Sequence, residues 1–76
     1  MKQHGKIKVK LNELLESKGV SQTKLIRIAN LQRLQMKRYF DNTVTRLDTD
    51  VLARICTALD CSIGDLLEFV PPDERE

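Results

Sequence analysis

Tryptophan is absent from this 76-residue chain, and only Tyr39, Phe40 and Phe69 are aromatic, so Leu, Ile and Val must do the packing. No apolar run approaches the roughly 20 residues that a bilayer-spanning helix takes, so no membrane segment is expected. The N-terminal MKQHGKIKVK carries charge with no hydrophobic stretch behind it, unlike a secretory signal, and the expected location is the cytoplasm. His4 is the only histidine, and Cys56 and Cys61 have four residues between them, which is not a zinc spacing. A four-ligand Cys/His metal site is thereby excluded, and both thiols are expected as small buried hydrophobes. There is no glycine-rich phosphate loop and no His beside an acid pair. So short a chain encloses no large substrate cavity. Neither an enzyme, nor a cofactor, nor a small-molecule ligand is expected.

What is there is segregated charge. Residues 1–10 carry Lys2, Lys6, Lys8 and Lys10, a local charge of +4. Residues 21–46 set Lys24, Arg27, Arg33, Lys37, Arg38 and Arg46 against Asp41, which leaves +5. Residues 47–76 set eight acids against Arg54 and Arg75, which leaves −6. A net charge of +2 hides this division. One part of the chain suits a polyanion, and the other repels one or keeps the protein soluble.

Caps and periodicity predict five short helices. Leu11, Leu14 and Leu15 make the stripe of the first, which Lys18-Gly19 closes. Ser21 caps the second, SQTKLIRIA, with Leu25, Ile28 and Ala29 on one face. Asn30 turns the chain, since Asn best tolerates a left-handed conformation after glycine. The third helix runs over about 32–40, and DNTVTR after it reads as a loop. Asp48 caps a fourth helix, in which Leu52, Ile55, Cys56 and Leu59 keep core spacing. Ser62 caps a fifth, with Asp65 in the reciprocal capping position.

Helices this short do not persist alone, so they must share one core as a compact all-α bundle. The expected limits are a flexible basic arm over 1–6, one domain over 7–70, and an acidic tail over 71–76 beginning at Pro71-Pro72. IKVKL alternates like a strand, and LEFVP is the only other extended candidate. Either the two pair into a small two-stranded ribbon, or IKVK lies on the bundle as an irregular arm.

The third helix has two characters. With Met36 inward and about 100° per residue, Phe40, Tyr39 and Gln32 fall within about 60° of it. Lys37, Leu34, Arg38 and Gln35 spread over the opposite side, with Arg33 at its edge. Those outward types read DNA: Arg and Lys pair with guanine acceptors, and Gln pairs bidentately with adenine. A tight turn after another helix precedes it, as a helix-turn-helix requires. Lys24, Arg27, Thr43, Thr45 and Arg46 flank it with phosphate-binding groups.

The run SQTKLIRIANLQRLQMKRYFDN, followed by LARICTALDCSIGDLL, resembles the Cro/C1-type (lambda-repressor-like) helix-turn-helix regulators over residues 9–70. Ser21-Gln22, Leu25, the turn at Asn30, Met36, Ile55 and Leu59, and Ser62 to Leu67 carry the likeness. The resemblance implies a positioning helix over 21–29 and a recognition helix over 32–40. It places Arg33 and Leu34 first at the base edges, with Gln35, Lys37 and Arg38 completing the reading face. It assigns Gln22, with Thr23 and Lys24 beside it, and Asn42, Thr43 and Arg46 to phosphates. Departures are Asn30 for the usual glycine, Ile26 for a small residue, and Phe40 where glutamate is common. Leu34 is apolar at the centre of the reading face; it meets a thymine methyl or marks a protein-binding surface.

The function implied is a sequence-specific DNA-binding transcriptional regulator, a repressor, with double-stranded DNA as partner. The alternative is a protein-interaction module on the same fold, antitoxin-like or an anti-activator partner. A single module buries only about 600–1,000 Å² on DNA, so a homodimer on a palindromic site is expected. Leu67, Phe69 and Val70 on the fifth helix's exposed surface are its candidate interface, unless they only cover the bundle's end.

Overall fold

The computed structural model describes residues 4–72. Strand β1 (Lys6–Val9) leads into helices α1 (Leu11–Lys18), α2 (Gln22–Ala29), α3 (Arg33–Phe40), α4 (Thr49–Leu59) and α5 (Ile63–Leu66), and strand β2 (Leu67–Val70) follows. The starts of α2, α4 and α5 are set by side chains. Ser21 accepts from the Lys24 amide, Asp48 from the Asp50 amide, and Ser62 and Asp65 form a reciprocal capping box.

Four helix ends share one device. Gly19, Asn30, Asn42 and Asp60 each take a left-handed conformation just past their helix. The next residue's amide then reaches back to the last turn: Val20 to Leu15, Leu31 to Ile26, Thr43 to Arg38, Cys61 to Cys56. These are Schellman closures, and their geometry sets the following side chain against the last turn. That explains why Leu31 is buried and why Cys61 packs partly against the core.

The core is shared by every element. Leu11, Leu25, Met36, Ile55 and Leu66 are fully enclosed, with Leu14, Leu15, Ala29, Tyr39, Val51, Leu52 and Leu59 around them. Cys56 and Cys61 are half-buried free thiols rather than buried ones. Ile28, expected in the core, is 45% exposed. Helix α4 packs along the Leu25 and Ala29 side of α2, and the short side chains of Ala53, Thr57 and Ala58 leave Ile28 at the rim of an open hollow.

The two-stranded ribbon forms. Strands β1 and β2 are antiparallel, with Lys6 opposite Val70, Ile7 opposite Phe69, Lys8 opposite Glu68 and Val9 opposite Leu67. The fifth helix is accordingly one turn long, and Leu67, Phe69 and Val70 belong to a strand rather than to its surface. Pairing supplies the backbone partners that IKVK would otherwise lack. Lys6, expected in the flexible arm, is the first strand residue; residues 1–3 of that arm and 73–76 of the tail lie outside the described residues.

Candidate nucleic-acid interface

Helix α2, the three-residue turn Asn30–Leu31–Gln32 and helix α3 form a helix-turn-helix. Leu31 pins the turn to the core, while Met36 and Tyr39 pin α3. Gln32 does not join them: it is the exposed N-cap of α3 in an extended conformation, so helical rotation does not apply to it.

Two polar tethers complete the seating of α3. The Tyr39 hydroxyl accepts the Asp48 amide at 3.1 Å, joining the last turn of α3 to the cap of α4. Asn42 Oδ1 accepts the Val9 amide at 2.9 Å, joining the end of α3 to β1. Sequence reasoning missed both, because each links residues distant in the chain. A polar group on an otherwise buried aromatic, and an Asn at a helix end, were the available signals.

The expected reading residues share a face. Arg33, Leu34, Lys37 and Arg38 are exposed and Gln35 is half-buried. Leu34 is 59% exposed and takes no part in the core. Lys37 Nζ sits 2.7 Å from Asp41 Oδ2. Such an exposed i,i+4 pair is worth a few tenths of a kcal/mol, so a stronger anion displaces it at little cost (about 0.3–0.5 kcal/mol).

Two hollows frame this face. One of about 400 Å³ brings Gln22 and Thr23 of α2 beside Arg33 and Lys37 of α3. Another of about 220 Å³ brings Leu34, Gln35 and Arg38 beside Arg46 of the following loop. The expected phosphate-binding residues Gln22, Thr23, Lys24, Thr43 and Arg46 are all exposed around α3. Thr43 also returns its hydroxyl to the Arg38 carbonyl at 3.4 Å. Asn42 is different: its oxygen is engaged by Val9, which leaves only the amide NH₂ for an outside partner.

Leu67 is half-buried against the core, Val70 is half-buried, and Phe69 is 61% exposed. Among these three only Phe69 offers a largely free apolar side chain. No helix among the described residues is long and apolar enough to cross a membrane.

A basic helix held out by a second helix and a core-pinned turn defines a helix-turn-helix DNA-binding domain. The family pattern agrees: the Cro/C1-type helix-turn-helix DNA-binding domain matches residues 10–72, and the chain belongs to that family. The crystal structure of the transcriptional regulator VanUg, Form II, is similar over 93% of this chain and 93% of that one, with TM-score 0.74 and 24% identity. At that identity the likeness speaks for the fold. No curated protein sequence matches the chain.

Proposed function

We propose that this protein is a sequence-specific transcriptional regulator, a repressor that acts by occupying DNA with residues 7–70. The observation that carries the reading is the exposure of Arg33, Leu34, Lys37 and Arg38 on a helix anchored from behind by Met36 and Tyr39. Arg33 and Arg38 would take guanine edges, Gln35 adenine, and Leu34 a thymine methyl. Gln22, Thr23, Lys24, Thr43 and Arg46 would hold phosphates on either side, setting register without reading sequence. In this reading two copies bind a palindromic site, with Phe69 and Val70 at their contact.

The test is selection of bound duplexes from a randomised pool near physiological salt. Enrichment of an inverted repeat with half-sites roughly 10 base pairs apart supports a dimeric reader. Arg33→Ala should relax one base preference within it. No enrichment by folded protein rejects sequence reading.

Leu34 favours a second reading, a protein-interaction module. The two differ in salt response: binding to DNA weakens steeply as salt rises, and an apolar contact centred on Leu34 does not.

A further inference from the structure

The turn that aims α3 is held by a residue outside the helix-turn-helix. Arg54, on α4, donates from Nη1 to the Asn30 carbonyl at 3.1 Å. Its Nη2 lies 2.8 Å from Asp50 Oδ2, one helical turn earlier. Both terminal nitrogens of one planar group are thus engaged in different directions, which fixes its orientation as well as its position. Asn30 is the left-handed residue that ends α2, with φ of 55°. The last carbonyls of a helix carry partial negative charge and lack helical partners, so a guanidinium there is favourable on both counts. Arg33, the first residue of α3, follows Asn30 by only three positions.

Its other polar bonds described here stay within the helix-turn-helix, the Leu31 amide returning to the Ile26 carbonyl; to the rest of the fold Leu31 adds an apolar contact. An apolar contact has no direction and permits a small rotation, whereas a hydrogen bond from a guanidinium held at its other end by Asp50 restrains one. Base readout needs side chains placed within a fraction of an ångström, while phosphate attraction tolerates more.

Resting on the DNA-reading function proposed above, we infer that Arg54 is a positioning residue for sequence recognition, clamping the Asn30 carbonyl with Asp50 as its backstop. The clamp aims the recognition helix without itself touching a base.

Arg54→Lys and Asp50→Asn separate this role from plain charge. Lysine keeps the positive charge but cannot span both partners with a rigid fork. Asp50→Asn removes an acid, so long-range attraction to DNA should rise while the clamp loses its backstop. Dissociation constants are measured for a selected site and for a random duplex at one salt concentration, with circular dichroism confirming the fold. Each variant should lose about fivefold on the selected site, the scale of one charge-assisted hydrogen bond at an accessible site. On the random duplex Arg54→Lys should match the parent, and Asp50→Asn should match or exceed it.

Equal losses on both duplexes would make Arg54 a phosphate contact. Unchanged selected-site binding by Arg54→Lys, or tightening of both duplexes by Asp50→Asn, would overturn the clamp. Amide hydrogen exchange in the free protein is the independent readout: the Leu31 amide, bonded to Ile26, and the Met36 amide, bonded to Gln32, should both exchange faster in both variants. If the parent selects no site, the DNA reading fails on its own, and unchanged exchange would show that the clamp fails too.

Discussion

Asn42 was expected at a phosphate, and the structure gives it a second occupation that substitution can separate from the first. Its backbone is left-handed, with φ of 63°, and its side-chain oxygen accepts the part-buried Val9 amide at 2.9 Å. Alanine loses both features: about 1–2 kcal/mol for the left-handed backbone and about 0.5–1.5 kcal/mol for the hydrogen bond. Glycine loses only the bond, because it adopts this conformation freely, so its cost is about 1 kcal/mol. Aspartate keeps the acceptor and tolerates the conformation, and should lie within about 0.5 kcal/mol of the parent. In a domain of this size about 1 kcal/mol moves the melting temperature by roughly 4–8 °C. Thermal unfolding followed by circular dichroism should therefore rank Asp above Gly above Ala. DNA binding would instead put aspartate last for a phosphate contact, since an added carboxylate is repelled by the backbone. Glycine as stable as the parent, or aspartate as damaging as alanine, would refute the latch between β1 and α3.

Three further outcomes follow from burial and charge. Ile55 is fully enclosed, so Ile55→Ala should cost about 2–5 kcal/mol, read as a lowered urea midpoint, out of a total of only about 4–11 kcal/mol expected for this length. Leu34→Ala should leave stability within about 0.5 kcal/mol, yet remove any affinity lost by the parent when thymine in a selected site is replaced by uracil, which lacks the methyl; a parent indifferent to uracil would send Leu34 to a protein partner. Burial, and then the neighbouring Cys56, push the Cys61 thiol from 9.0 up to about 11. Its folded value is raised, so its contribution to stability is complete below pH 9 and lost as pH rises through about 11; iodoacetamide should label it slowly at pH 7.5, and a rate equal to that of an unhindered thiol would contradict this burial.

Local chemistry made most of the helical frame readable in advance. Ser21, Asp48 and Ser62 announce helix starts because their side-chain oxygens satisfy amides two or three residues away. Gly19 and Asn30 announce ends for an equally local reason. Asn42 and Asp60 play the same part; Asn42 was less visible because it stands inside DNTVTR, a run that reads as loop throughout. Where reading by periodicity failed, the deciding partner came from elsewhere in the chain. Ile28 has the spacing of a core residue, but what faces it is set by the small side chains of α4, which no property of α2 encodes. The alternation of IKVKL, by contrast, did point to LEFVP as a strand partner, and Leu67–Val70 is a strand because β1 lies alongside.

The same division runs through the interface. The cationic and amide side chains of α3 were legible one by one, since exposure follows from the placement of Met36 and Tyr39 behind them. The groups that seat this helix were not, because Val9 with Asn42, Asp48 with Tyr39, and Arg54 with Asn30 are separated by 33, 9 and 24 positions. Two of these three tethers reach α4, in the half of the chain whose negative charge had suggested only solubility or repulsion. That half is then structural support for the basic one: α4 holds α3 from behind through Tyr39 and from its leading turn through Arg54. Charge segregation and mechanical support are two consequences of one arrangement: the face proposed for DNA can stay basic because residues that seat its helix are supplied from the acidic half of the chain.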